Sequence, residues 1–120
     1  MTGGYDINLD VKFAPLTVID VAAEASAHEP WHNQTLTAVN DSVVRLGVIE
    51  GEFHWHKHDA EDEFFLVLEG ELVIELENER VTLGPNCGYT VPKGVLHKTS
   101  APTRTVILMV EAAGVDPTGD

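Results

Sequence analysis

His56, His58, Glu63 and His97 are the residues of this sequence whose types and spacing could do chemistry. Three histidines alternate at His54, His56 and His58, and Glu63 follows His58 after four residues. His97 comes two residues behind the turn sequence Pro92-Lys93-Gly94. Residues two apart on a strand share a face, so His56 and His58 can point the same way about 7 Å apart. A carboxylate opening the next strand can face back towards that pair, and His97 can approach from a third. Imidazoles with one carboxylate suit Fe, Mn, Ni, Cu or Zn, and the lack of thiolate argues against structural zinc of the cysteine kind. Taken singly, each residue reads otherwise: a solvated His pair, an acidic loop from Asp59 to Glu63, a turn histidine. Their joint spacing is what points to a metal.

Such ligands need rigid elements to aim them, and the chain from Val43 onward reads as strand after short strand. Val43 to Ile49, Glu52 to His58, Phe64 to Leu68, Glu71 to Leu76, Arg80 to Leu83, Tyr89 to Val91, His97 to Ser100 and Thr105 to Glu111 are the predicted strands. Gly, Pro and Asn separate them, and no long helical pattern competes. Many short strands at even spacing predict an all-β sandwich or barrel. If alternation holds, Phe65 and Val67 share the face of Glu63, while Trp55 and Phe53 turn away from the histidines and pack between sheets or at a subunit contact. His54 reads as a rim residue bonded to a neighbour.

Residues 1–42 read as an irregular N-terminal arm, with a helical turn in the Ala-rich patch from Val18 to Ala27. The barrel is expected over 43–113 and a loose tail over 114–120. The arm holds Phe13, Trp31 and several aliphatics that a small barrel leaves without an obvious home. This predicts a homodimer that uses part of the arm.

The chain has 120 residues, which fits one domain, and a net charge of −13 from 20 acids against 7 bases. Such a surface repels phosphate backbones and anionic lipids, so neither nucleic acid nor membrane is an expected partner. A small-molecule ligand remains open, with a metal as the local cation for any anionic group. One cysteine, Cys87, permits no intrachain disulfide. Met1 to Asp6 carries no basic residue, and the longest apolar run is Val106 to Val110. No signal peptide or membrane span is therefore expected, and the protein reads as soluble and cytoplasmic.

The pattern His56-x-His58, four residues, Glu63, six residues, Gly70 closely resembles the first signature motif of the cupin superfamily. Pro92-x-Gly94, two residues, His97 matches the core of the second. Departures are confined to that second motif and the approach to the first. Gly84 and Gly88 straddle the leading-glycine position, held by Asn86; Ala101 stands where an Asn is usual; Gly51 is one residue nearer His56. Counting instead from His54-x-His56 reaches Glu61 and then Leu68, not glycine, so the spacing favours the later pair. The stretch from Gly51 to Glu63 is similar to a group of small single-domain cupins. The resemblance covers about residues 43–111.

The resemblance implies a cupin double-stranded β-helix, a jelly-roll-like barrel, with one divalent transition metal (Fe, Mn, Ni or Zn) inside it. It carries the ligand roles to His56, His58, Glu63 and His97, and turn roles to Gly70, Pro92 and Gly94. Function stays open between a metal-binding barrel of unassigned activity and a metal-dependent enzyme. The enzyme would be a dioxygenase, isomerase or decarboxylase acting on a small polar or anionic substrate. Four protein ligands fill a tetrahedral zinc site but leave two positions open on an octahedral ion, which the enzyme reading prefers. No catalytic residue beyond the ligands is assigned.

Overall fold

The computed structural model describes residues 5–119. Its strands are β1 (Asp6–Asn8), β2 (His32–Val39), β3 (Ser42–Glu52), β4 (Glu63–Glu69), β5 (Leu72–Glu75), β6 (Arg80–Leu83), β7 (Gly88–Val91) and β8 (Lys98–Ala112). A single helix, α1 (Val21–Ser26), lies between β1 and β2. Asp20 caps it by accepting a hydrogen bond from the Ala23 amide at 3.0 Å. The all-β reading holds, and the helical turn lies inside the Ala-rich patch. No helix among the described residues is long and apolar enough to cross a membrane.

The strands hydrogen-bond in the order β1-β2-β3-β8-β4-β7, with β5 joining β8 and β6 joining β5. β8 is the common partner: its first residues pair with β5, and its later ones lie between β3 and β4. Register shifts at Ile49/Gly51 in β3 and Val67/Glu69 in β4 bend these strands where the sheet folds over. Gly70 closes β4 at φ +89, and a Cβ there would sit 2.4 Å from Thr105 Oγ1. Both the backbone and the space demand glycine, as the motif implied.

Alternation divides β3 cleanly. Ile49 faces inward with Phe65, Val67, Ile107 and Met109 as the barrel core. Leu46 and Val48 face outward, where Ala25, Leu36, Phe13, Ile19 and Val21 cover them. Each aliphatic side chain buried in this way contributes about 1.5–3 kcal/mol, enough to hold the covering segment down.

The expected arm at 1–42 contributes to the sheet. Residues 32–39 are a full strand, paired antiparallel with β3. Phe13, Ile19, Val21 and Ala25 pack on the barrel's own outer face, while Leu9, Val11, Leu16 and Val18 stay exposed. The tail is likewise not loose as far as it is described: Val115 is buried, and its carbonyl accepts from Arg45 Nη1 at 3.0 Å. Asp120 lies outside the described residues. The predicted strand Glu52 to His58 also fails, because β3 ends at Glu52 and only an isolated bridge, His56 to His97, follows.

Candidate metal centre

His56 and His97 stand directly opposite each other, each amide donating to the other's carbonyl at 2.9 Å. The loop carrying His58 is tied down by the Gly94 amide, which donates to the His58 carbonyl at 2.8 Å. Glu63 is the first residue of β4. Two short loops and one strand end thus deliver all four side chains to the barrel interior. All are buried, from 1% exposure at His97 to 8% at His56. One ligand atom from each lies within 4.8 Å of the others.

Ring orientation makes this a converging set. The His56–His58, His56–His97 and His58–His97 planes cross at 79°, 56° and 46°. Glu63 Oε1 lies 3.3 Å from His58 Nε2 and 3.4 Å from His97 Nε2. The His56 Nδ1–H donates to the His54 carbonyl at 3.0 Å and the His97 Nδ1–H to the Val95 carbonyl at 2.9 Å. Carbonyls only accept, so both rings carry a proton on Nδ1 and leave Nε2 as the ring nitrogen available to a metal. Glu63 Oε1 and His97 Nε2 are buried and make no hydrogen bond. Leaving such atoms unmatched costs about 1–3 kcal/mol each unless something else satisfies them.

The electrostatics suit a cation. Burial, with His97 nearby, pushes the His56 pKa down to about 4, so its imidazole is neutral at pH 7. Burial alone would raise the Glu63 carboxyl, but the imidazoles of His58 and His97 beside it hold it well below the usual range. Glu111 pairs with Glu63 across β4 and β8. Its pKa is pushed up to about 9 by burial and by the Glu63 charge, against the pull of Arg45. Arg45 Nη1 donates to Glu111 Oε1 at 2.6 Å, with both side chains fully enclosed. A neutral His56 imidazole, an anionic carboxylate and unmatched inward atoms fit one divalent ion. This cluster could hold a metal.

A cavity of about 50 Å³ adjoins His56 and Glu63, walled further in by Asn33, Gly47, Ile49 and Ile107. Tyr5, Trp31 and Phe53 pack together on its lining with ring centroids 5.1–5.4 Å apart. Phe53 was expected to point away from the site. With no regular strand at 53–58, alternation does not govern it, and it lines the cavity. Trp55 is exposed, as an outward residue should be. His54 stands at the rim outside the cluster, its Nε2–H donating to the Thr118 carbonyl at 2.6 Å. That same segment brings Gly119 against His56, where a Cβ would lie 2.5 Å from the His56 Cβ.

A second group, Asp6, His28 and His32, also brings its ligand atoms within 4.8 Å of one another. It sits on the outward side of β2, since His32 pairs with outward Val48. The His32 Nδ1–H donates to Asp6 Oδ2 at 2.8 Å. Sequence reasoning missed this trio, and it missed Asn33, Gly47 and the Arg45–Glu111 pair. One signal was present: an arginine in the middle of the apolar run from Val43 to Ile49 must find buried hydrogen-bond acceptors.

The profile of the Cupin domain family matches residues 42–111. The uncharacterized protein YdbB of Bacillus subtilis (strain 168) is 46% identical over 84 residues, which is 69% of this chain and 74% of that protein. A solved cupin-2 domain containing protein from Shewanella frigidimarina superposes with a TM-score of 0.76 at 35% identity, covering 79% of this chain and 94% of that one. The crystal structure of BH2720 from Bacillus halodurans gives a TM-score of 0.73 at 17% identity, covering 92% and 90%, a likeness of fold alone.

Proposed function

This chain belongs to the cupin family, and from that premise we propose that His56, His58, Glu63 and His97 hold one divalent transition metal ion, Fe, Mn, Ni or Zn, beside a cavity for a small molecule. The observation that carries this reading is the pair of buried, unmatched atoms, Glu63 Oε1 and His97 Nε2, turned towards one another within the cluster. A bound ion supplies Lewis acidity to an oxygen of the small molecule. Glu63 offsets one of its charges. The Nδ1 hydrogen bonds of His56 and His97 keep those rings in the metal-binding tautomer. The aromatic rings of Tyr5, Trp31 and Phe53 limit water in the cavity.

Metal analysis of protein purified without a histidine tag tests this. One equivalent per chain is expected, falling by orders of magnitude in His58→Ala and little changed in His54→Ala. A full His58→Ala protein beside an empty His54→Ala protein would overturn the ligand assignment.

The cavity beside the cluster favours a second reading, a metal-dependent enzyme acting on the bound small molecule as dioxygenase, isomerase or decarboxylase. Two positions left open on an octahedral ion support it. The single cysteine, Cys87, suits a reducing compartment, and we take that compartment to be the cytoplasm. We further propose a homodimer, supported by Leu9, Val11, Leu16 and Val18, which are exposed on the N-terminal segment. Light scattering that gives a monomer mass at high protein concentration would overturn it.

A further inference from the structure

The inward face of the sheet has a gap in one row. Ile7, Asn33, Gly47 and Ile107 are successive register partners across β1, β2, β3 and β8. Three of these strands contribute a sizeable side chain and β3 contributes none. Gly47 has no positive φ, so the backbone does not require glycine there. A Cβ would stand 3.0 Å from Ile107 Cγ1 and 3.3 Å from Met109 Cε, so these two side chains crowd the position and leave little room for a larger one. Glycine inside a strand weakens it and marks places where something approaches the backbone closely.

Asn33 borders the same space. It lines the cavity, and its Oδ1 is buried with no hydrogen-bond partner. A buried amide oxygen left unmatched is costly, and a ligand that donates to it removes that cost. No lysine or arginine lines the cavity, and its carboxylates are Glu63 and Asp6. Arg45, the cation nearest in the inward face, is committed to Glu111, to Thr35 Oγ1 at 3.1 Å and to the carbonyls of Ala113 and Val115. An anionic group out of reach of the metal would have no lysine or arginine as counter-charge.

From this geometry we infer that Asn33 and Gly47 select the ligand: a small molecule that is uncharged and largely apolar away from the metal, with a hydroxyl at its far end bonded to Asn33. This rests on the metal reading above and specifies what the site takes. One water needs about 10–15 Å³ of such volume, so a cavity of about 50 Å³ admits a tail of roughly four non-hydrogen atoms. A hydroxyl both donates and accepts, so it can pair with either end of the Asn33 amide.

Hydroxamates test this because one metal-binding head can carry different tails. Acetohydroxamate and its butyl-, hydroxypropyl- and carboxyethyl-tailed analogues are titrated into cobalt-loaded protein, with dissociation constants read from the visible spectrum. The hydroxypropyl tail should bind tightest and the carboxyethyl tail at least about tenfold more weakly than butyl. Asn33→Leu should erase the hydroxypropyl advantage, about three- to tenfold, and leave butyl binding within about twofold. Gly47→Val should weaken the butyl tail more than the acetyl one. Equal or tighter binding of the carboxyethyl tail, or a hydroxyl preference that survives Asn33→Leu, would overturn the inference while metal content stays full. Protein that takes up no cobalt overturns the metal reading and this inference together. If Gly47→Val fails to fold, Asn33→Leu still decides, since it replaces an unmatched polar group with an apolar one of similar size.

Discussion

Inside the barrel, three imidazoles cross at 46–79° around one carboxylate oxygen. On the outer face, His28 and His32 lie parallel, 3.5 Å apart with 10° between their planes, and Asp6 accepts a hydrogen bond from the His32 Nδ1–H. Both clusters combine histidine with a carboxylate, and in each the ligand atoms lie within 4.8 Å of one another. Direction separates the two clusters. A metal–nitrogen bond lies in the plane of its ring, so crossed rings can meet at a point and stacked rings aim side by side. The inner cluster is built from two loops and a strand end that converge on one interior. The outer one joins β1, the turn after α1 and β2, so it fastens the N-terminal segment to the sheet. Proximity of histidine and carboxylate is therefore weak evidence for a metal, and ring orientation is stronger.

The comparison breaks most readily at metal content. His58→Ala should lower affinity by orders of magnitude, whereas His28→Ala should leave one equivalent bound. Equilibrium dialysis that shows His28→Ala losing the metal, or the wild type holding a second tight equivalent, would erase the distinction.

Acid should separate the clusters next. His56 titrates near pH 4 in the folded metal-free protein against 6.5 as the model value. The unfolded chain thus binds more protons between these values. The stability this gives is fully present above pH 6.5 and is lost as pH falls through 4. The total is about 3 kcal/mol by the linkage of pKa to stability. Urea midpoints of metal-free protein should fall across that window. His56→Gln should flatten the slope, because glutamine does not titrate. Metal affinity should fall as the pH drops towards 4, since His56 must be neutral to ligate.

The smallest effects belong to the outer trio. His28→Phe keeps the stack and removes the nitrogens, and its effect on thermal stability should stay within about 0.5 kcal/mol. Asp6→Ala removes a partner whose side chain is 68% exposed, so no more than about 1 kcal/mol is expected. A loss of several kcal/mol in either variant would mean that the outer cluster does more than fasten the segment.

Spacing alone was enough to bring His56, His58, Glu63 and His97 together on paper, although the mechanism behind it was different. Strand alternation was the expected cause of convergence for His56 and His58. In the structure they sit on an irregular loop held by the bridge to His97 and the bond from Gly94. The motif survived because it encodes the loop lengths that deliver side chains, whatever the backbone's local form. The roles of Asn33 and Gly47 and the partner of Arg45 were illegible for one reason. Each gains its meaning from a partner on another strand, and register across β2, β3 and β8 is not written locally. Of the N-terminal apolar residues, Phe13, Ile19 and Val21 lie against their own sheet while Leu9, Val11, Leu16 and Val18 stay exposed, a division that composition does not carry.

β8 is one 15-residue strand that hydrogen-bonds to β3, β4 and β5, and it follows all three in sequence. During synthesis the ribosome emits these partners first. Until residues 98–112 leave the exit tunnel, β4 and β5 have no bridge to β3, and apolar faces on all three stay open. Barrel closure must then wait for β8, at synthesis rates of about 5–20 residues per second, and every closing contact spans a long stretch of sequence. A ribosome stalled before β8 should carry a protease-sensitive, aggregation-prone chain, and release of β8 should protect the whole barrel in one step.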